Sequence, residues 1–574
     1  MKYFIRKGGI TFWMLLFLSF IVGTILRCCL IGSQILIDDE WHGINYVIGK
    51  SFLHVFTNHG LGANSIPMNI YKWCLLNTIG WSELSLRMPI IISGVLSLIV
   101  FPVFVAKLFS RRTTIIFSFL LAISPVLVFY SRMSRPYGIV VILSFVSFFS
   151  MLFWINSGKH RFAFLYIFTA VLSIYFHLYS LVLVLTPLGI VFILKIVQNH
   201  ANHKQNSLLI IPNATSLFGA GVTIFFLLCV LILPAHIQNL WWLHRLGYDR
   251  MNFETILNYA SILSGTSNNI LIALFLLMFL TGLLTAFREK TLFAISIIVI
   301  FAVYFIMMSL SHQEGSHAAI QAIRYSISII PFVLILVAFG LDHILSYFNT
   351  LIKTSRISSI LIFLIPSAIL LNLFTFGPLL VTYQSPNNFT NHSAFQDSYK
   401  SHIWTYSRPR DLTPGYLMKK EDISKFYFSL SKQSGVHTII EYPMLMGDPV
   451  NLHYYYQHFH NKNILVGFSQ NLIIPERTQD YIMGQYPVDY VMSRLPDLKK
   501  VKFKNMVDMD NIEAIKSSNA AYIILHKHFI SEMFPYLKSK KAQENGAVIY
   551  YSQTYRKYFG NPIFEDKNII VFKI

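Results

Sequence analysis

Long apolar runs recur along the first two thirds of the chain. Each run approaches about 20 residues, the length at which an α-helix crosses the hydrocarbon core of a bilayer. The runs predict eleven transmembrane helices, at roughly 9–30, 87–109, 113–130, 137–156, 162–178, 180–197, 214–234, 269–287, 291–310, 326–348 and 357–377. The first run follows Arg6 and Lys7 and lacks a small-residue cleavage motif, so it predicts a retained membrane anchor rather than a signal peptide.

After residue 377 the pattern changes. Charged residues return to ordinary density, and turn-forming sequences such as Thr413-Pro414-Gly415 separate short alternating runs. The β-like runs lie at 437–441, 464–468, 521–526, 548–551 and 569–572. Residues 378–574 therefore predict a soluble α/β domain that is large enough to bury its own core.

Lys and Arg residues fall in alternate loops between the apolar runs. Examples are Arg111 with Arg112, and Arg288 with Lys290. By the positive-inside rule these loops face the cytoplasm, together with the N-terminus. Eleven crossings then place residues 378–574 outside, on the same side as the first outer loop at about 31–86. The predicted fold class is an α-helical polytopic membrane protein (1–377) with a C-terminal extracytoplasmic α/β domain (378–574).

Composition supports a membrane protein and argues against a set of soluble domains. The 574 residues are 54% hydrophobic and only 13% charged, whereas a soluble chain carries about 25% charged residues. The net charge of +20 would suggest nucleic acid as a partner of a soluble protein. Here much of the excess lies in the topology-setting loops, so membrane lipids and not nucleic acid are the expected partners. The four cysteines show neither a disulfide framework nor zinc-site spacing.

Acidic residues are scarce before residue 378, where the sequence holds nine, and three of these are adjacent: Asp38, Asp39 and Glu40. Adjacent carboxylates repel one another, which raises the pKa of at least one and makes it a better base near neutral pH. Carboxylate oxygens also suit a divalent cation. The alternative is a solvated loop that marks the end of the first span.

Five arginines in three groups interrupt the topology pattern because they fall at predicted outer helix ends: Arg132 with Arg135, Arg245 with Arg250, and Arg324. A guanidinium fork matches the oxygens of a phosphate group. The alternative is snorkelling of the arginines to the membrane interface. Other candidates are His59 for phosphate or metal, and an outer-loop patch for a sugar or headgroup at 241–250. The tail histidines and tyrosines at 453–460 are expected to have packing and surface roles.

Several of these residues lie in an ordered series of short motifs. The series comprises Arg27 through Gly32-Ser33-Gln34, Asp39-Glu40, Pro67 with Tyr71, Glu83, Leu86-Arg87-Met88-Pro89, Phe109-Ser110-Arg111-Arg112, Ser124-Pro125, Tyr130-Ser131, Arg135-Pro136-Tyr137, and Arg324-Tyr325 followed by Pro331. In order and spacing it resembles the bacterial GT-C membrane glycosyltransferases. These are family 39-like enzymes related to protein O-mannosyltransferases and to the lipid A aminoarabinose transferase.

The resemblance implies an inverting glycosyltransferase of the bacterial cytoplasmic membrane. Such enzymes move a hexosyl or pentosyl group from a polyprenyl-phosphate carrier to an acceptor hydroxyl of a lipid, polysaccharide or protein on the outer face. It implies that Asp39 and Glu40 are the catalytic pair, with Asp38 a further candidate base and a divalent cation held by Asp39 and Glu40. It further implies a donor-phosphate site formed by Arg135, Arg132, Arg324, Tyr325, Tyr137 and His59.

Three other functions remain open. A transporter or flippase of lipid-linked glycans would favour charged or broken helices in paired repeats, and no repeat is visible in the sequence. A glycan polymerase would use lipid-linked sugars without needing an acidic pair directly after the first span. A non-catalytic membrane scaffold would tolerate Asp39→Asn without any change in phenotype.

Overall fold

The structure is a computed structural model. It describes residues 9–29, 31, 36, 39–58, 65–80, 82–200, 213–236, 253–266, 268–310, 323–351, 355–375, 379, 423–436, 438–442, 456–457, 459–465, 516, 520–527 and 547–574. The chain forms two compact units. The membrane unit comprises 1–31, 46–385 and 397–414, and the sheet unit comprises 32–45, 386–396 and 415–574.

Helices dominate the first part of the chain, and each predicted apolar run coincides with one or two of them. In chain order they are α1 (Ile10–Cys28), α2 (Asp39–Val47), α3 (Phe52–Thr57), α4 (Ile66–Asn77), α5 (Glu83–Val105), α6 (Arg111–Ile123), α7 (Pro125–Tyr130), α8 (Tyr137–Ser157), α9 (His160–Phe176), α10 (Ser180–His200), α11 (Ala214–His236), α12 (Phe253–Ser264), α13 (Asn269–Glu289), α14 (Thr291–Leu310), α15 (Ile330–Leu351) and α16 (Ser355–Thr375). Among the described residues, seven helices are long and apolar enough to cross a membrane. The chain is therefore a multi-pass membrane protein.

The predicted third span is divided at Ser124. Its backbone is extended, with ψ of 113°, and Pro125 then begins α7. Proline lacks the amide hydrogen that a continuing helix needs, but it suits the first position of a new one. Hydrophobicity alone did not reveal the break because the run is apolar on both sides of it. The predicted first outer loop likewise contains the three short helices α2, α3 and α4.

Aromatic rings fill the centre of the membrane unit. Phe101 and Phe145 stack with ring centroids 3.8 Å apart, and Phe332 adds an edge contact to Phe148 at 4.7 Å. The segment that includes α15 is the most enclosed candidate span, with 89% of its apolar window buried. Helix α15 packs against α13, α6 and α16.

The sheet unit contains one five-stranded sheet in the order β2-β1-β3-β5-β4. Its strands are β1 (Thr438–Tyr442), β2 (Asn463–Leu465), β3 (Tyr522–His526), β4 (Phe564–Glu565) and β5 (Ile569–Lys573), with helices α17 (Lys425–Leu430) and α18 (Ala547–Phe559). Strand β1 runs parallel to β2 and β3, whereas β5 runs antiparallel to β3 and β4. The predicted class, a polytopic helical protein with an α/β portion near its C-terminus, is confirmed.

One predicted strand is wrong. The run at 548–551 lies within α18 and not in the sheet. Valine, isoleucine and tyrosine favour strands, but helical spacing buries Ser552 and Tyr555 on one side of α18. The Tyr555 ring packs 6.0 Å from that of Phe572 on β5. Packing against the sheet therefore overrides the local β propensity.

Candidate functional site

Two arginines donate hydrogen bonds to the C-terminal carbonyl groups of α1 and α6. Arg132 Nη1 donates to the backbone oxygens of Leu26, Arg27 and Cys29 at 3.2, 3.1 and 2.8 Å, at the C-terminal end of α1. Arg27 lies on α1 and donates to the oxygens of Leu121 and Ala122, both at 3.1 Å, at the C-terminal end of α6. Carbonyl groups at a helix C-terminus lack intrahelical partners and carry partial negative charge, so a guanidinium stabilises them.

The turn between α7 and α8 is therefore fixed by hydrogen bonds to α1. Ser134 Oγ donates to Leu86 O at 2.9 Å, which joins the turn to α5. Arg135 lies in the same turn and is 3% exposed. Pro136 precedes α8, whose first residue, Tyr137, is 2% exposed. The predicted pair of arginines thus lies in a buried turn, with Nη1 of Arg132 engaged by α1.

An aromatic cluster joins this turn to the segment before α15. The Tyr137 ring lies 5.5 Å from the imidazole of His177, which stacks at 6.0 Å on Tyr325. The Tyr179 ring also stacks on Tyr325, with ring centroids 4.6 Å apart and planes 17° from parallel. The guanidinium carbon of Arg324 lies 5.6 Å from the centroid of the Tyr325 ring, within cation–π range.

Hydrogen bonds fix the backbone around this cluster. Tyr304 on α14 donates to Tyr179 O at 2.9 Å, and its hydroxyl lies 3.2 Å from that of Ser328. The hydroxyls of Tyr259 and Ser326 are 2.7 Å apart. The structure therefore brings the predicted residues Tyr137, Arg324 and Tyr325 into one connected cluster, although they are far apart in sequence. We call Tyr137, His177, Tyr179, Arg324 and Tyr325 the aromatic–arginine cluster.

The predicted acidic group belongs to a different unit. Asp39 is the first residue of α2, and Glu40 follows it with a fully buried side chain. Asp38, His59, the side chain of Asp39 and the loop residues 241–250 lie outside the described residues. Within the described part of the chain, no group of three His, Cys, Asp or Glu side chains is arranged to hold a metal ion. The cation at Asp39 and Glu40 stays a prediction.

Sequence reasoning missed His177 and Tyr179, which lie in the short link between α9 and α10. Arg27, the first residue of the motif series, lies in the last turn of α1. The available signal was a histidine and two polar residues, Tyr179 and Ser180, at the junction of two apolar runs. A single histidine of that kind is weak by itself, because only the fold shows which distant residues it meets.

The sheet unit contains a second polar cluster, which is buried. Glu441 Oε2 accepts hydrogen bonds from His526 Nε2 at 2.6 Å and from the Tyr427 hydroxyl at 3.0 Å. His460 Nδ1 accepts from Lys462 N at 3.0 Å, so the neutral ring carries its proton on Nε2, which lies 3.8 Å from Glu441 Oε1. Tyr456 stacks on Tyr427 at 4.7 Å.

Burial shifts the protonation of two members of this cluster. Burial, followed by the charge of Lys462, lowers the pKa of His460 from 6.5 to about 3. Burial, followed by the charge of Glu441, raises the pKa of Tyr427 well above its ordinary value. Both side chains are therefore neutral over the physiological range, and the tail histidine that was expected to pack does lie in the interior.

Solved structures similar to the chain include membrane transferases from two organisms. ArnT from Cupriavidus metallidurans in the apo state is 11% identical, covers 99% of this chain and 98% of its own, and has a TM-score of 0.49. The form bound to undecaprenyl phosphate is 12% identical, covers 98% of both chains and has a TM-score of 0.47. The archaeal oligosaccharyltransferase AglB from Archaeoglobus fulgidus, in complex with an inhibitory peptide and a dolichol-phosphate, is 11% identical, covers 92% of this chain and 71% of its own, and has a TM-score of 0.47.

No protein-family model matches the chain, and no curated protein matches it in sequence.

Proposed function

We propose that the protein is an inverting glycosyltransferase that moves a sugar from a polyprenyl-phosphate carrier to an acceptor hydroxyl. The observation that carries the proposal is the aromatic–arginine cluster. It joins Arg324 and Tyr325 to Tyr137, the first residue of the helix that follows the Arg135 turn. Of the three arginines predicted to bind the phosphate, Arg324 belongs to this cluster, and Arg135 lies two residues before its member Tyr137.

The chemistry fits this set of groups. Displacing a phosphate from an anomeric carbon creates an oxocarbenium-like centre, and the leaving phosphate needs no proton. Cations at the phosphate and one base at the acceptor are then sufficient. Arg135, Arg324 and Tyr325 would neutralise the departing phosphate, with Arg132, Tyr137 and His59 as further donor-site residues. In a site low in water, such fixed charges stabilise a transition state far more than they do in bulk solvent.

The base in this proposal is Asp39, with Asp38 as the alternative. Asp39 would take the proton of the acceptor hydroxyl, and Glu40 would orient that hydroxyl or help Asp39 to bind a divalent cation. The assignment is supported by the scarcity of acids in the first 377 residues and by the motif that the sequence shares with the GT-C family. We further propose that the site faces outward from the bacterial cytoplasmic membrane, because the positive-inside pattern places 31–86 on that side.

Turnover of a lipid-linked sugar tests the proposal. The purified protein in lipid nanodiscs receives polyprenyl-phosphate hexose or pentose together with an extract of envelope lipids and glycans. We expect free polyprenyl phosphate to be released, and Asp39→Asn to abolish the release while the melting temperature is unchanged. Glu289→Gln is the matched control, because this carboxylate lies at the exposed end of α13 and should retain full turnover.

Two results would contradict the assignment. Full turnover in Asp39→Asn would remove Asp39 as the base, and full turnover in Asp38→Asn as well would remove the acidic site altogether. Transport of an intact lipid-linked sugar across the membrane without release of polyprenyl phosphate would instead favour the flippase.

A further inference from the structure

His177 occupies the centre of the aromatic–arginine cluster. Its imidazole lies 5.5 Å from the ring of Tyr137, 5.7 Å from that of Tyr179 and 6.0 Å from that of Tyr325. The side chain is 7% exposed. One ring therefore contacts the start of α8, the link before α10 and the segment before α15.

The backbone of His177 is fixed by the helix that precedes it. Its amide donates to Ser173 O at 3.0 Å and ends α9, and its carbonyl accepts from Ser180 N at 3.0 Å as α10 begins. Tyr304 holds the adjacent Tyr179 through its backbone oxygen. With both backbone groups engaged, the position of the imidazole is set by rigid elements and not by a free loop.

The consequence falls on Arg324. The Tyr325 ring is held by stacking on Tyr179 and His177, and it lies against the guanidinium of Arg324. Aromatic pairs of this kind are stabilised in specific geometries beyond the effect of the area that they bury. Loss of the His177 ring would let Tyr325 tilt and move the guanidinium beside it.

From these contacts we propose that His177 is a positioning residue of the donor site. It holds Tyr325 and Tyr137 by ring packing and thereby places Arg324 where a lipid phosphate binds. The inference rests on the proposed function, because it gives His177 a role at the same donor phosphate. Its ring acts through Tyr325 and does not itself contact the phosphate.

Two claims are tested: that the protein binds a lipid phosphate, and that His177 positions the phosphate-binding residues. Binding of farnesyl phosphate separates them when it is compared with binding of farnesol, which lacks the phosphate. The full-length protein in nanodiscs is titrated calorimetrically. His177→Leu keeps apolar volume but removes the ring faces, so we expect the dissociation constant for farnesyl phosphate to rise about tenfold, since small misplacements of binding groups are costly. His177→Phe restores a stacking ring and should bind within about threefold of the unaltered protein. His160→Leu, at the exposed start of α9, is the matched control.

Each outcome decides one claim. If the unaltered protein binds farnesyl phosphate no better than farnesol, the proposed function fails and the role of His177 fails with it. In the second case the unaltered protein binds farnesyl phosphate more tightly than farnesol. If His177→Leu then binds farnesyl phosphate with the same dissociation constant as the unaltered protein, the positioning role fails while the proposed function stands. If His177→Phe loses as much affinity as His177→Leu, ring packing is not the role and the inference is overturned. Melting temperatures of both variants show that the affinities were measured on folded protein.

Discussion

Glu441 and His526 share a hydrogen bond of 2.6 Å between Oε2 and Nε2 in the interior of the sheet unit. The two residues lie near the carboxyl ends of the neighbouring parallel strands β1 and β3. Glu441 is 0% exposed and His526 is 3% exposed. A buried carboxylate is costly unless it is paired and hydrogen-bonded, so this contact determines how well the centre of the sheet tolerates its charge.

The first prediction concerns the loss of one partner. His526→Leu leaves the Glu441 carboxylate without its imidazole, and we expect the local stability of the sheet to fall by about 3–5 kcal/mol. The double variant Glu441→Leu with His526→Leu removes both polar groups and should recover most of this loss. Hydrogen–deuterium exchange of peptides that cover β1 and β3 in the full-length protein measures both effects. Equal losses in the single and double variants would contradict the pairing.

The second prediction concerns pH. Unfolded His460 takes up a proton near pH 6.5, but the folded residue does so only near its pKa of about 3. Between these values the unfolded chain binds more protons, so His460 makes the fold less stable by about 1.4 kcal/mol for each pH unit of acidification. In His460→Asn, the amide oxygen can replace Nδ1 as the acceptor for Lys462 N. We expect this variant to lose less protection than the unaltered protein when the pH falls from 6.5 to 4, as measured by exchange in β1 and β3. If protection falls equally with pH in both proteins, His460 is not the source of the pH dependence.

The third prediction concerns an ion pair between α6 and α15. Asp342 accepts hydrogen bonds from Arg112 Nε, Ser110 and Thr113, the last at 2.6 Å. The Asp342 side chain is 9% exposed and that of Arg112 33%. Arg112→Ala leaves the more buried charge without its cation, so we expect it to cost about 3 kcal/mol. Asp342→Asn leaves the more exposed guanidinium and should cost about half as much. Melting temperatures in detergent give the order, and a larger loss for Asp342→Asn would contradict it.

The fourth prediction concerns the crossing of α13 and α15. A Cβ atom placed on Gly282 would lie 1.9 Å from Leu336 O, and one placed on Gly340 would lie 1.9 Å from Met278 O. Backbone oxygens cannot move aside as a flexible side chain can. We expect Gly282→Ala and Gly340→Ala each to lower the yield of folded protein severely. Gly219→Ala on α11 is the control, because its Cβ would meet nothing within 4 Å. Normal yields for Gly282→Ala would mean that the two helices can separate at no cost.

The fifth prediction separates the two arginines of the turn between α7 and α8. Arg132→Ala removes the donor to three carbonyls at the end of α1, so it should lower the melting temperature. Arg135→Ala should lower donor turnover about a hundredfold, the effect of losing about 3 kcal/mol of transition-state stabilisation. Unchanged donor affinity and rate in Arg135→Ala would remove it from the phosphate site.

Local pattern predicted the elements with a clear periodic signal. The apolar runs gave the membrane helices because each must satisfy its backbone hydrogen bonds within itself in lipid. The pattern failed at Ser124, where one run holds two helices, and at 548–551, where strand-forming residues lie in α18. In both places the hydrophobic pattern did not contain the deciding feature. At Ser124 it is the proline that starts a new helix, and at 548–551 it is the sheet that buries one side of α18.

The sequence by itself determined that this chain inhabits a membrane, because 13% charged residues cannot cover several soluble domains. It also made the candidate residues Arg135, Arg324 and Tyr325 visible, because charge is rare along the apolar runs. Only the tertiary structure decided that Arg132 caps α1 and that His177 meets both Tyr137 and Tyr325. Those contacts join residues from separate helices, and their distances depend on how the helices pack, which no local pattern of hydrophobic and polar positions encodes.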